Sequence, residues 1–86
     1  MTRDEIVEVF ADENPEALLA DGFEDAFVGV ARRCGQPIIA VYDYSLGVKV
    51  LMERDGMSHE EAEEWLEFNV LGAWVGENTP TWLVAK

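Results

Sequence analysis

Apolar and polar positions change their spacing several times along this chain, and each change marks an element. Thr2 to Glu5 has the form Ser/Thr-x-x-Glu, a capping box whose hydroxyl and carboxylate satisfy the first free backbone donors of a helix. Ile6, Val9 and Phe10 then fall on one side, with Asp4, Glu5 and Glu8 on the other. Asn14-Pro15 predicts a second, short helix, Asn as cap and Pro at the first position, where its missing N–H costs nothing. Ala17, Leu18 and Leu19 would be its apolar side and Asp21-Gly22 its end.

The period changes at residue 26. Phe27, Val28 and Val30 read as a strand containing a glycine, Arg32 to Pro37 as a turn, and the β-branched run Ile38 to Asp43 as a buried strand. The two strands pair most simply as an antiparallel hairpin. Tyr44 to Gly56 carries two signals. Val48-Lys49-Val50 alternates like a strand and Gly47 weakens a helix, but Leu46, Val50 and Leu51 recur at helical spacing. Asp43 or Ser45 can cap such a helix and Asp55-Gly56 can stop it, so we expect a helix.

Ser58 to Glu61 is another capping box, and Ala62, Trp65, Leu66, Asn69, Val70, Ala73 and Trp74 follow helical spacing for three turns. Glu60, Glu63, Glu64 and Glu67 lie outside in its first half. Phe68 to Val75 is apolar nearly all round and predicts burial on several sides, with Trp65 and Trp74 in the core and Asn69 tied to a nearby backbone. Gly72 and Gly76 would allow close packing on a neighbouring element. Thr81 to Ala85 reads as a last strand joining the hairpin. The expected architecture is α+β: one domain, residues 1–86, with a small three-stranded antiparallel sheet covered on one face by helices.

Composition adds a strong constraint. Eighteen Asp and Glu against six Lys and Arg give a net charge of −12 on 86 residues, which repels nucleic acid and anionic membranes and attracts basic surfaces. The charge is uneven. Residues 1–25 hold nine acids and one base, residues 26–52 one acid and three bases, and residues 53–86 eight acids and two bases. The acids therefore belong to the helical flanks and the sheet-forming middle is almost free of them. Like charges at i, i+4, as in Glu60/Glu64 and Glu63/Glu67, are mildly destabilising. One reading of the surplus is solubility; the other is an electrostatic footprint for a basic partner, imitating the phosphates of a nucleic acid.

Other chemistry is sparse. His59 sits behind a helix cap with no orienting partner obvious beside it, and Cys34 is a lone cysteine in a turn. No Cys/His cluster, calcium loop or Walker-type loop occurs in the sequence, so neither catalysis nor a metal or cofactor is expected. The longest apolar runs are far too short to span a membrane, and the acidic start Met1 to Ile6 lacks the pattern of a signal peptide. With one cysteine and no such signal, the expected setting is cytoplasmic. Trp82, in the last strand beside Pro80, is either core or an exposed anchor.

Asn14 to Phe23, Ala40-Val-Tyr-Asp43, Met52 to Ser58 and Phe68-Asn-Val-Leu-Gly-Ala-Trp-Val-Gly-Glu-Asn-Thr-Pro80 resemble a family of small acidic proteins found in bacteriophage and prophage genomes. The resemblance runs over nearly the whole chain. In that family the segment after Tyr42-Asp-Tyr44 has a more helical character, from which Gly47 departs. The resemblance supplies no activity and gives no residue a role. What it implies is a phage setting, in which small acidic proteins act by binding and blocking a host protein. The functional expectation is thus a non-enzymatic binding protein. Glu60, Glu63, Glu64 and Glu67, together with Asp4, Glu5 and Glu8, would engage a basic surface of a host nucleic-acid-handling protein, an anti-CRISPR or other anti-defence inhibitor being the specific form. The alternative is a structural or assembly accessory that buries the sheet face or Trp82 against a partner or a second copy.

Overall fold

The computed structural model describes residues 1–85. The Thr2 capping box forms as expected and opens α1 (Arg3–Phe10), which buries Ile6 and Phe10 but leaves Val9 substantially exposed. The helix expected after Asn14 is absent; residues 11–20 form turns and irregular chain. Its intended cap is occupied elsewhere. The Asn14 side chain is buried, and its Nδ2 donates to the Ile38 carbonyl at 2.9 Å and to Asn78 Oδ1 at 2.9 Å. A long-range use of the side chain has displaced the local one.

A single 3₁₀ turn (Glu24–Ala26) leads into β1 (Phe27–Ala31), which pairs antiparallel with β2 (Ile39–Asp43) around a bulge between Phe27 and Gly29. The expected hairpin is present. In β2, Ala40 and Tyr42 are buried while Ile39, Val41 and Asp43 are half-buried, the period-two alternation of a strand. Tyr44–Asp55 is a helix, α2. Its cap is Asp43, whose carboxylate accepts the Leu46 N–H at 2.9 Å, and it ends at Gly56 in the left-handed region, φ +68°.

The expected weakness at Gly47 has a tertiary cause. A Cβ placed there would lie 2.6 Å from the Trp82 ring and 3.4 Å from Leu66, so the glycine lets the last strand's tryptophan reach the helix backbone. Trp82 stands on β3 (Thr81–Leu83), which joins β2 in the order β1-β2-β3. Here the expectation of an antiparallel sheet is corrected: β3 runs parallel to β2, with Val41 opposite Thr81 and Tyr42 opposite Trp82, so the sheet is mixed. The reason lies in the connection. Two helices and a loop carry the chain from the end of β2 back to the end where β2 began, and a strand entered from there runs the same way.

The Ser58 capping box opens α3 (His59–Leu66), which packs against α2 and buries Ala62 and Leu66. The α-helix then stops short of the expected length. Glu67–Leu71 is a π-helical turn and residues 72 onward leave the helix. Phe68, four residues beyond Glu64, continues the outer face of the helix, while Val70 and Leu71 keep their contact with the core. The expected burial of Phe68 to Val75 is corrected accordingly: Phe68 is 83% exposed, Trp74 75% and Val75 69%. Trp65 rests against Phe23 at 6.1 Å between ring centres with about a third of its surface exposed. Asn69 is exposed and donates to Trp65 O in its own helix, and Gly72 meets only the backbone of Glu67 and Phe68. Neither ties this segment to a neighbour.

The core gathers Ile6, Phe10, Phe23, Ala26, Ile38, Ala40, Tyr42, Val48, Leu51, Ala62 and Leu66. The architecture is α+β with a three-stranded mixed sheet.

Two substitutions test this packing. Gly47→Ala should raise helix propensity by about 1 kcal/mol, yet overpacking against the stacked Trp82 ring costs about 1–3 kcal/mol. The expected net result is a lower midpoint in thermal or urea unfolding; a raised midpoint contradicts the close approach. Asn14→Ala should cost about 1–3 kcal/mol by orphaning the buried Ile38 carbonyl, measured in the same way.

Candidate acidic and aromatic surface

The two capping boxes set where the acidic side chains stand. In α3, Ser58 Oγ accepts the Glu61 N–H at 3.2 Å and Glu61 Oε1 accepts the Ser58 N–H at 2.9 Å. In α1 the same exchange joins Thr2 and Glu5 at 3.2 and 2.7 Å. Each box donates hydrogen bonds to an ionised carboxylate, and the Thr2 and Ser58 backbone N–H bonds, followed by their hydroxyl partners, hold the Glu5 and Glu61 carboxyls below the usual range. Glu5, expected among the binding residues, therefore has one oxygen committed to its own helix start.

The remaining α3 acids face outward. Glu60, Glu64 and Glu67 are exposed, Glu63 is half-buried, and Asp4 and Glu8 are exposed on α1. The Lys and Arg ion pairs among the described residues all go to other acids. Arg3 meets Asp21 at 2.8 Å, Arg32 meets Glu13 at 2.7 Å, Lys49 meets Glu53 at 3.8 Å and Arg54 meets Asp55 at 3.0 Å. The sequence-expected acids are left without a Lys or Arg partner among the described residues. Three of them, Glu60, Glu63 and Glu64, stand on α3, Glu67 opens the π turn that follows it, and three stand on α1.

Glu63 differs from its neighbours. Its Oε1 lies 3.4 Å from His59 Nδ1, one helical turn away, so the histidine has an adjacent carboxylate that the sequence reading overlooked. The i, i+4 spacing was the available signal. Both side chains are open to solvent. Burial, reinforced by the nearby charges of Glu63 and Glu67, pushes the Tyr44 hydroxyl above its ordinary value. Cys34 is exposed and unpaired in the hairpin turn. Among the described residues no group of three or more His, Cys, Asp or Glu is placed to hold a metal ion, and no helix is long and apolar enough to cross a membrane.

Trp82 occupies the first of its two expected places. It is half-buried, stacked on Tyr42 at 5.3 Å and edge-on to Phe23 at 5.5 Å. The most exposed aromatic residues are instead Phe68 and Trp74, both read from the sequence as buried. Trp74 also lines an open groove of about 570 Å³ between the 70–82 segment and the hairpin turn, together with Leu71, Pro80, Ile39, Pro37 and Arg33. Sequence spacing could not reveal this groove, because β3 brings together two stretches some thirty residues apart only by pairing with β2.

The loop that carries Trp74 is held in place. Val75 N donates to Thr79 Oγ1 at 3.0 Å and Thr79 Oγ1 donates to Gly76 O at 2.7 Å, while Leu18 N donates to Asn78 O at 3.1 Å. Chemically, the arrangement offers exposed carboxylates on and just beyond α3 and exposed aromatic surface at Phe68 and Trp74. No family model, curated protein or solved structure matches the chain.

Ser58→Ala should cost about 1 kcal/mol of stability through loss of the cap. The pH dependence follows from the depressed Glu5 and Glu61 carboxyls. Their contribution is fully present above the unfolded glutamate value of 4.5 and is lost as pH falls through the lower folded values. Glu5→Gln with Glu61→Gln preserves the acceptors but removes this titration. The double variant should lose less stability than the parent in acid unfolding curves.

Proposed function

We propose that this is a non-enzymatic binding protein whose acidic α3 face, formed by Glu60, Glu64 and Glu67 with Glu63 beside them, engages a basic surface on a partner protein. The observation that carries the reading is the distribution of ion pairs: among the described residues the Lys and Arg pairs go to Asp21, Glu13, Glu53 and Asp55, and Glu60, Glu64 and Glu67 have no Lys or Arg partner. Repulsion along α3 has no folding benefit, whereas a row of exposed carboxylates on a capped helix can occupy the Lys and Arg sites that otherwise hold phosphates. Asp4 and Glu8 on α1 form a second, independent source of negative field. The reading takes the helices to lie over the Ala40 and Tyr42 side of the sheet, which the full burial of these residues supports. The resemblance to phage and prophage proteins makes a host nucleic-acid-handling protein the partner class, with anti-CRISPR or other anti-defence inhibition the specific form.

Capture of a host protein on the immobilised chain should weaken steeply as salt is raised. The triple change Glu60→Lys, Glu64→Lys and Glu67→Lys should reduce it by more than about tenfold with an unchanged circular dichroism spectrum. Asp4→Lys with Glu8→Lys separates the contribution of α1. Equal capture by the folded α3 triple variant and the parent would refute the assignment.

A further inference from the structure

β1 is an outer strand of the sheet, with β2 on one side and no strand on the other among the described residues. Such an edge offers a row of backbone N–H and C=O groups to another strand, and proteins guard it with lysine, proline, inward charges, a bulge or a covering loop. The five residues of β1, Phe27-Val-Gly-Val-Ala31, include no charge and no proline. Val28 and Val30 are 50% and 42% exposed. Among the described residues no backbone hydrogen bond joins residues 28–31 to a loop or helix. The bulge between Phe27 and Gly29 is the one guarding device this edge has, and it shortens the ladder that can form there. β3, at the opposite edge, is three residues long, and that shortness is itself protective.

The residues flanking β1 decide which strand fits it. Asp25 stands two residues before the strand and Arg33 two residues after it, so they are equidistant in sequence from Gly29. A second β1, antiparallel to the first about a two-fold axis at Gly29, sets Val28 opposite Val30 of the other copy and Val30 opposite its Val28. These pairs form an apolar cross-strand patch. The same register brings Asp25 of each copy to the end of the ladder where Arg33 of the other stands. Both side chains are exposed, and neither has an ion pair among the described residues. A parallel neighbour would instead set Asp25 beside Asp25 and Arg33 beside Arg33. The net charge of −12 opposes the meeting of two copies, but it is carried by the flanks of the chain; residues 26–52, which contain β1, hold one acid and three bases.

We propose that β1 is a self-recognition edge, through which two copies pair as antiparallel strands and join their three-stranded sheets into one. The two-fold axis consumes the open β1 edge of both copies, so the assembly closes at a dimer. A ladder this short buries little surface, which makes the dimer weak and dependent on concentration. The pairing is independent of the acidic α3 face.

Sedimentation velocity on the intact chain over a range of concentrations reads the association. A monomer–dimer equilibrium is expected; a chain that stays monomeric up to about 1 mM overturns the proposal. Asp25→Arg and Arg33→Asp each place like charges at both ends of the ladder and should weaken dimerisation by about tenfold or more, with unchanged circular dichroism. Mixed in equal amounts, the two variants should dimerise again, because each then meets its opposite at both ends. Parent-like dimerisation of either variant alone, or no recovery in the folded mixture, would overturn the two-fold register. Val28→Lys should suppress the dimer, and a dimer that survives it uses another surface. A spin label on Cys34, the only cysteine, reads the geometry without altering the strand. Each Cys34 lies five residues from Gly29 in opposite directions, so the labels should be roughly 30 Å apart. A separation below about 10 Å indicates parallel, in-register stacking and refutes the antiparallel pairing even where a substituted chain folds poorly.

Discussion

The stack of Trp82 on Tyr42 joins parts of the chain that share no local connection. Tyr42 is almost fully buried, takes Phe27 on its edge at 5.7 Å, and accepts the Ala20 N–H on its hydroxyl at 2.9 Å. Trp82 adds Phe23 on one side and the open backbone at Gly47 on the other. Through these two rings the hairpin, the irregular segment before it, α2 and β3 are fixed to one another. In a domain this small the apolar area available for stabilisation is limited, so two large aromatic side chains at a common junction carry a substantial share of it.

The same junction explains the mixed sheet. β3 is three residues long and by itself has little to define its direction. Its direction is set by the route that α2 and α3 impose and by the placement of Trp82 beside Tyr42 in the register. Asn14 adds a polar clamp, joining the segment after α1 to the chain just before β2 and to the loop before β3. Each of these constraints acts between residues more than twenty positions apart.

The electrostatic organisation follows from how few cations the chain has. Four of its Lys and Arg residues are engaged by acids that lie next to turns or within α2. Arg54 also donates to Gly22 O at 2.8 Å and lies 5.6 Å from the centre of the Phe23 ring, so its charge serves to pin the loop at residue 22. With these cations occupied, α3 keeps its field. The abrupt passage from that field to the aromatic surface at Phe68 gives this side of the molecule its character.

Much of this was legible in the sequence because it is short-range. The capping boxes at Thr2 and Ser58, the Asp43 cap, the Gly56 stop, the hairpin and the separation of acids from the sheet depend on residues within a few positions of one another. Backbone capping and period-two or period-3.6 burial act at that range. The missed features depend on contacts across the fold. Asn14 looks like a cap until Ile38 and Asn78 claim its side chain. Gly47 looks like a helix defect until Trp82 approaches it. Phe68 and Trp74 look like core until the packing passes to Val70 and Leu71, leaving Phe68 on the outer face, and the helix ends before Trp74. Sequence determined α1, α2 and the start of α3, the two strands of the hairpin, and where the charge resides. Tertiary structure decided the direction of β3 and which aromatic residues remain in water, because both are outcomes of competition for a core too small to take every apolar side chain.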